Sequence, residues 1–262
     1  ECFLHLTKVE SLREWEGENS THLRSFILIR QRDSNISLIV LSNLQFHYLY
    51  KTINRSMLNP FYKIITDRLT IRYYQPGDAG LLKKSIDESI EHLAPWMPWT
   101  ANEPESLEAK LNRIRLFRGN FDLGKDYTYG IFNREETILL GGTGLHTRQG
   151  EQVLEIGYWI NVHQIGKGYA LEAAAAMAKI AFQLEGIRRV QIHCEPENLP
   201  SKKIPEKLGF IHEATLKKRL KTGTDRLADE MIWTLFREDF DKSPIKKMAL
   251  RLFDIQNTEI YL

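Results

Sequence analysis

The segment Leu154 to Phe210 constrains this chain more than any other: LEIGYWINVHQIGKGYALEAAAAMAKIAFQLEGIRRVQIHCEPENLPSKKIPEKLGF. It predicts a strand over Val153 to Ile160, a glycine-bearing turn over His163 to Gly168, and an Ala-rich helix over Tyr169 to Leu184. A second strand follows over Val190 to Cys194, then a short helix ending at Leu208-Gly209-Phe210, with Gly209 as its C-cap. Glycine at a strand-to-helix turn takes up positive φ and lets the backbone approach a ligand closely. The helix beginning there offers unpaired N–H groups and the positive end of its dipole, a combination that suits a phosphate.

The glycine spacing decides which phosphate. A P-loop needs GxxxxGK[ST], but Gly168 follows Gly166-Lys167 and no glycine precedes at the required distance. A dinucleotide fingerprint needs GxGxxG, and Gly166 to Leu171 lacks the third glycine. Glu195 near the end of the next strand keeps that fold open as an alternative. The run His163-Gln164-Ile165-Gly166-Lys167-Gly168 fits a third pattern, [Q/R]xxGx[G/A], except that His163 occupies the usual Gln/Arg position. Further pieces accompany it in order: Thr66-Asp67-Arg68-Leu69-Thr70-Ile71-Arg72, Leu93-Ala94-Pro95-Trp96-Met97-Pro98-Trp99 and Ile156-Gly157-Tyr158-Trp159-Ile160. Glu172-Ala173, Asn198-Leu199-Pro200-Ser201 and Glu206-Lys207-Leu208-Gly209-Phe210 complete the set. With these pieces the chain resembles the RimJ/RimL-like branch of the GNAT acetyltransferases, the ribosomal-protein N-terminal acetyltransferase branch, from about Thr66 to about Phe240.

The resemblance implies an α+β fold, a mixed and mostly antiparallel twisted sheet flanked by helices. It implies acetyl-CoA as co-substrate, no metal, and an amine acceptor, with a protein N-terminus foremost. The expected cofactor contacts are Trp159 and Ile160 through their backbone, then His163, Gln164, Ile165, Gly166, Lys167, Gly168, Tyr169 and Ala170 in the cradle. Asn198 is expected against the pantetheine arm and Ser201 near the sulfur. Many relatives place a Tyr thiolate donor just before the Glu of the last helix; here Pro205 stands there, which leaves Ser201 as the nearest replacement.

Acetyl transfer to an amine needs a proton acceptor, donors for the developing oxyanion and help for the leaving thiolate. Glu155 is the candidate base. It shares one strand face with Gly157 and Trp159, and burial would raise its pKa; the plainer reading is a solvated strand-start carboxylate. Asn198 and Ser201 also read as an ordinary helix cap and helix start. Trp96 and Trp99 read either as walls of an acceptor pocket or as core. His193 and Cys194 are neighbours on a strand and face opposite ways, which argues against a metal or Cys–His pair.

The chain has 262 residues, 42% of them hydrophobic and 27% charged, enough for a sizeable core. Its net charge of +2 gives no reason to expect DNA. No apolar stretch approaches the roughly 20 residues a membrane span needs, and the first residues lack the basic-then-apolar pattern of a secretory leader. Two cysteines, Cys2 and Cys194, make no disulfide framework. These features set the expectation of a cytoplasmic protein, monomeric or homodimeric, that binds no membrane. Residues 1–60 read as an extension of unknown role, with β-type runs at Phe26–Arg30 and Ile36–Leu41 and a boundary at Asn59-Pro60. Residues 61–241 are expected to form the acetyltransferase domain and 242–262 a basic tail. A small-molecule amine acceptor and a catalytically silent acyl-CoA-binding module are the alternative functions.

Overall fold

The computed structural model describes residues 61–184 and 186–261 and, before them, the backbone of 12–15, 25–32 and 35–42. The chain divides into compact units between Leu58 and Asn59. In the first unit, β1 (Leu12–Trp15), β2 (Ser25–Arg32) and β3 (Asn35–Ser42) form an antiparallel sheet in that order. The two anticipated β-runs fall within β2 and β3; β1 has no counterpart in the sequence reading. Cys2 and Asn59-Pro60 lie outside the described residues.

The second unit holds a ten-stranded sheet among its described residues. In chain order come β4 (Lys63–Ile65), β5 (Leu69–Tyr73), α1 (Ala79–Asp87), α2 (Leu107–Asp122), β6 (Tyr127–Asn133), β7 (Leu139–His146) and β8 (Val153–Ile160). Then follow α3 (Tyr169–Ala181), β9 (Arg189–Cys194), α4 (Leu199–Leu208), β10 (Ile211–Lys221), β11 (Leu227–Phe236), β12 (Arg251–Phe253) and β13 (Glu259–Ile260). The spatial order is β10-β11-β9-β8-β7-β6-β5-β4-β12-β13, and β8–β9 is a parallel pair in an otherwise antiparallel sheet. This is the α+β architecture anticipated from the sequence. No described helix is long and apolar enough to cross a membrane.

The alternating strand pattern buries Ile64, Ile71, Ile131, Leu145, Leu154 and Val190 against the helices. Each such side chain contributes about 1.5–3 kcal/mol of burial free energy. Ala173, Ala174, Ala175, Ala176 and Ala178 of α3 are buried, and their small side chains let the helix lie close on the sheet. Ser106 caps α2 by accepting from Ala109 N at 3.1 Å.

Asp78 turns its carboxylate to Arg72 (Nη1 2.7 Å, Nη2 3.0 Å) and to Gln75 N (2.7 Å), because the buried guanidinium on β5 needs a counter-charge. The structure departs from expectation in one place here. Residues 242–262 are not a tail. Ile245 and Leu252 are buried, and β12 pairs with β4 in the main sheet. The basic residues form its solvated face: Lys242 pairs with Asp239, Lys246 with Asp241 and Arg251 with Glu259.

Candidate active site

The sheet parts at its one parallel pair. β8 and β9 are in register at Val153↔Arg189, Leu154↔Val190 and Glu155↔Gln191, and then separate, although β8 runs on to Ile160 and β9 to Cys194. One edge of β8 beyond Glu155 therefore has no strand partner. A cavity of about 620 Å³ opens there, with Glu155, Tyr158, Trp159, His193 and Ser201 in its wall. Tyr158, Cys194 and Ser201 belong to the α4 side of the sheet and His146, Glu155 and His193 to the opposite side, so the cavity passes through the sheet at the splay.

A polar row crosses the sheet below it. His146 pairs with Glu155, Glu155 with Gln191, and Gln191 with Thr234; Asp126 lies one step beyond the Tyr127↔Leu145 pair, opposite His146. Directly opposed residues share a face, so these side chains all stand on one face of the sheet. Glu155 is 4% exposed. Arg148 Nε donates to its Oε2 at 2.8 Å, Gln149 Nε2 donates to the same oxygen at 2.6 Å, and Arg148 Nη2 donates to Oε1. Burial alone would push the Glu155 carboxyl up. The hydrogen bonds and charge of Arg148, with Gln149 and His193, outweigh it and hold the group below its ordinary value. The expectation of a base with a raised pKa is thus corrected: Glu155 is held in its charged form by donors from Arg148 and Gln149. It is also no solvated strand-start residue.

Two histidines flank it. His193 has both ring nitrogens occupied, Nδ1 by Glu230 at 2.9 Å and Nε2 by Gln191 Oε1 at 3.2 Å. His146 Nδ1 lies 2.9 and 3.1 Å from the two Asp126 oxygens. Its ring leans over Gly144 and Gly157, where an added Cβ would stand 2.8 Å from Cε1 and 2.9 Å from Nε2 respectively.

On the α4 side, the Tyr158 hydroxyl lies 3.0 Å from Ser201 Oγ. Burial pushes the Tyr158 phenol well up, so it stays protonated. Asn198 Oδ1 accepts from Ser201 N at 3.2 Å and caps α4, as the plainer reading had it, and both residues line the cavity. The Cys194 thiol beside them is pushed up to about 11 by burial.

The cradle follows β8. Gly166 has φ +76° and Gly168 φ +81°, conformations that favour glycine. An added Cβ at Gly166 meets no protein atom within 4 Å. The first bond into α3 runs from Glu172 N to Gly168 O, so the amides of Tyr169, Ala170 and Leu171 have no helical acceptor. His163, Ile165, Gly166, Lys167 and Gly168 are exposed; Gln164, Tyr169 and Ala170 are half-buried. Buried Asn161 pins the start of the cradle. Its Oδ1 accepts from His163 N at 2.8 Å and its Nδ2 donates to Ser85 Oγ at 3.1 Å and Glu88 Oε2 at 2.9 Å. From the other side Arg68 Nη1 donates to Lys167 O at 2.9 Å and Nε to Glu172 Oε2 at 2.7 Å.

Trp96 and Trp99 both line the cavity, joined by Trp159, whose indole lies 6.0 Å from that of Trp99. The Trp159 side chain fills the space over Gly142, where a Cβ would stand 2.5 Å from its Nε1. The tip of the β10–β11 hairpin seats against the same loop: a Cβ on Gly223 would lie 2.0 Å from Thr100 Oγ1 and 2.7 Å from Met97 O.

The structure thus brings Glu155, Trp159, Asn198, Ser201, Trp96 and Trp99 to one cavity. Ile160 and the cradle residues 163–170 lie outside its lining, beyond the C-terminal end of β8. Sequence reasoning missed His146, Asp126, Arg148, Gln149, Tyr158 and Asn161. Tyr158 carried a usable signal: strand alternation puts it opposite Glu155 and Trp159, toward the helix bearing Ser201.

Comparison with known proteins agrees with this geometry. The family profile described as an acetyltransferase (GNAT) domain matches residues 68–211. An uncharacterized N-acetyltransferase of Bacillus subtilis, YnaD, is 31% identical over 178 residues, covering 68% of this chain and 99% of the relative. The [ribosomal protein uS5]-alanine N-acetyltransferase of Escherichia coli is 27% identical over 163 residues, covering 60% of this chain and 82% of that enzyme. A crystal structure of a probable acetyltransferase superposes with a TM-score of 0.61 at 26% identity, over 66% of this chain and 95% of that one. The chain belongs to the GNAT family of acetyltransferases and is an acyltransferase.

Proposed function

We propose that this protein moves the acetyl group of acetyl-CoA onto a primary amine, and that the amine is a protein N-terminal α-amine of the ribosomal-protein type. The observation that carries the reading is the parting of β8 from β9 directly before a Gly166–Gly168 cradle: an unpartnered strand edge leads into a set of free helix-start amides. Such an edge suits the amides of a pantetheine arm, and the two positive-φ glycines leave open space for a pyrophosphate. The thioester supplies an activated acyl carbon. The protein supplies the rest. Amides of the cradle hold the phosphates, with His163, Gln164, Ile165 and Lys167 shaping the loop. The backbone of Trp159 and Ile160 orients the arm, and Asn198 fixes the turn of α4 that carries Ser201. The Ser201 hydroxyl, in contact with Tyr158, donates toward the sulfur as negative charge grows there, an interaction that acts on the transition state. Glu155 holds a negative charge beside the splay and favours a cationic acceptor; Trp96 and Trp99 wall its approach.

The test is turnover of acetyl-CoA against a panel of amines: ribosomal-protein N-terminal peptides, polyamines, aminoglycosides and amino-acid derivatives. The expected result is acetylation at the α-amine of a peptide. Turnover confined to small amines would replace the acceptor assignment, and acetyl-CoA binding without turnover on any amine would mark a silent module. The cradle has its own test. Gly168→Val forces a β-branched residue into φ +81° and is expected to weaken acetyl-CoA binding at least tenfold, about 1.4 kcal/mol. Calorimetry on a variant with an unchanged melting temperature measures it, and an unaltered Kd removes the cradle from the cofactor site.

A further inference from the structure

We propose that His146, oriented by Asp126, is the general base that takes the proton from the acceptor amine; this rests on the acetyl-transfer reading above. The carboxylate of Asp126 is acceptor-only, so the contacts of 2.9 and 3.1 Å from its two oxygens place the proton of the imidazole on Nδ1. Nε2 then carries the lone pair. Among the described residues no side chain bonds it, and it projects over Gly157, the first β8 residue on that face after the pairing with β9 ends. Gly144 and Gly157 are what give it room, since any Cβ at either position would displace the ring. The neighbouring groups are disqualified by their own partners. Glu155 accepts from Arg148 and Gln149, and both ring nitrogens of His193 are engaged. A proton acceptor on a reacting amine needs a free lone pair within hydrogen-bond reach of it, and His146 supplies one in the cavity that Trp99, Trp159 and Ser201 also line.

The acceptor ammonium gives one proton to Nε2, and Asp126 stabilises the imidazolium that forms. The freed nitrogen lone pair makes the C–N bond at the thioester carbonyl carbon. As the C–S bond breaks, the second N–H proton passes to sulfur by way of the Ser201 hydroxyl, giving the amide and a thiol. The imidazolium returns its proton to solvent. Asp126 is a positioning residue in this scheme, since it acts through the imidazole.

The first measurement needs no turnover. Nitrogen-15 shifts of the His146 ring in the unaltered protein are expected to show the Nδ1–H tautomer, and Asp126→Asn, whose amide can donate to Nδ1, to convert it toward Nε2–H. A ring that carries its proton on Nε2 in the unaltered protein overturns the proposal. The second measurement is kinetic. His146→Ala is expected to lower turnover by roughly 10²–10⁴-fold, the usual span for a general base, with the Kd for acetyl-CoA unchanged. Added imidazole is expected to restore part of the rate by filling the space over Gly144 and Gly157. Asp126→Asn is expected to depress kcat with little change in KM. Full turnover in His146→Ala, or a loss that follows the melting temperature and is indifferent to imidazole, overturns the assignment while leaving acetyl transfer standing. An unaltered protein inactive on every amine of the panel overturns the acetyl-transfer reading and the base with it.

Discussion

Replacing Lys110 by methionine is expected to lower stability by about 3–5 kcal/mol, the usual cost of leaving a buried charge without its partner. Lys110 is 0% exposed, and its ammonium bonds Glu103, itself 2% exposed, and stands 3.1 Å from Glu105. Arg113 completes the cluster on Glu105, with Nε at 3.1 Å. Methionine fills the stem's volume but removes the ammonium partner of the Glu103 carboxylate, leaving it the 2.9 Å bond from Glu105 N. Thermal melting of Lys110→Met measures the loss, and Lys110→Met/Glu103→Leu, which removes both charges, is expected to recover most of it. A single variant as stable as the parent would mean that water reaches Glu103. The loss should also shrink in acid. The Glu105 carboxyl is held below its ordinary 4.5, first by the hydrogen bond from Arg113 and then by Lys110. A depressed carboxylate stabilises the fold fully above its unfolded pKa and ceases to as the pH falls through its folded one. The network therefore contributes at neutral pH and fades below about pH 4.5.

The second large effect is expected at Gly223. Its backbone lies so close to Thr100, Met97 and Ala94 that a Cβ would stand within 2.8 Å of three of their oxygens. Two of those are backbone carbonyls and cannot swing aside. Gly223→Val must part the hairpin tip from the loop carrying Trp96 and Trp99, a strain of about 1–3 kcal/mol by the usual scale of overpacking. The acceptor side of the cavity should loosen while the cradle, on the other side of β8, stays intact. The expected outcome is a roughly tenfold to hundredfold fall in kcat/KM for the acceptor, about 1.4–2.7 kcal/mol, with the Kd for acetyl-CoA unchanged. Equal losses in both would show that the tip supports the whole fold rather than the acceptor wall.

The strand–turn–helix core of the site was legible because each local signal agreed with the global answer. The run Val153 to Ile160 is a strand over those same residues, and Gly209 takes φ +80° as the C-cap it was read to be. The charge partners were not legible, for a geometric reason. Counting back from the β6–β7 turn pairs Phe132 with Leu139, and continuing evenly would set Lys125 opposite His146. A bulge between Ile131 and Phe132 shifts the register by one residue, so that Ile131 pairs with Gly141 and Asp126 faces His146 instead. One unpaired residue thus decides whether the imidazole meets a cation or an anion. The C-terminal strands were missed for a plainer reason. β12 and β13 are three and two residues long, too short for a period to show among the lysines and arginines around them.

The splay cuts the ten-stranded sheet into leaves of seven and three strands, joined below by only three paired positions of β8 and β9. Above that seam the ladder lacks its rungs. A pantetheine arm carrying its own amides would supply them from one leaf and brace the other through α4, so the co-substrate becomes a structural member of the sheet as well as a reagent. Stabilisation by a bound ligand grows as RT ln(1 + [L]/Kd). Here it should be spread over both leaves, read as slowed amide exchange at Ile156 to Ile160 and at His193 and Cys194 together.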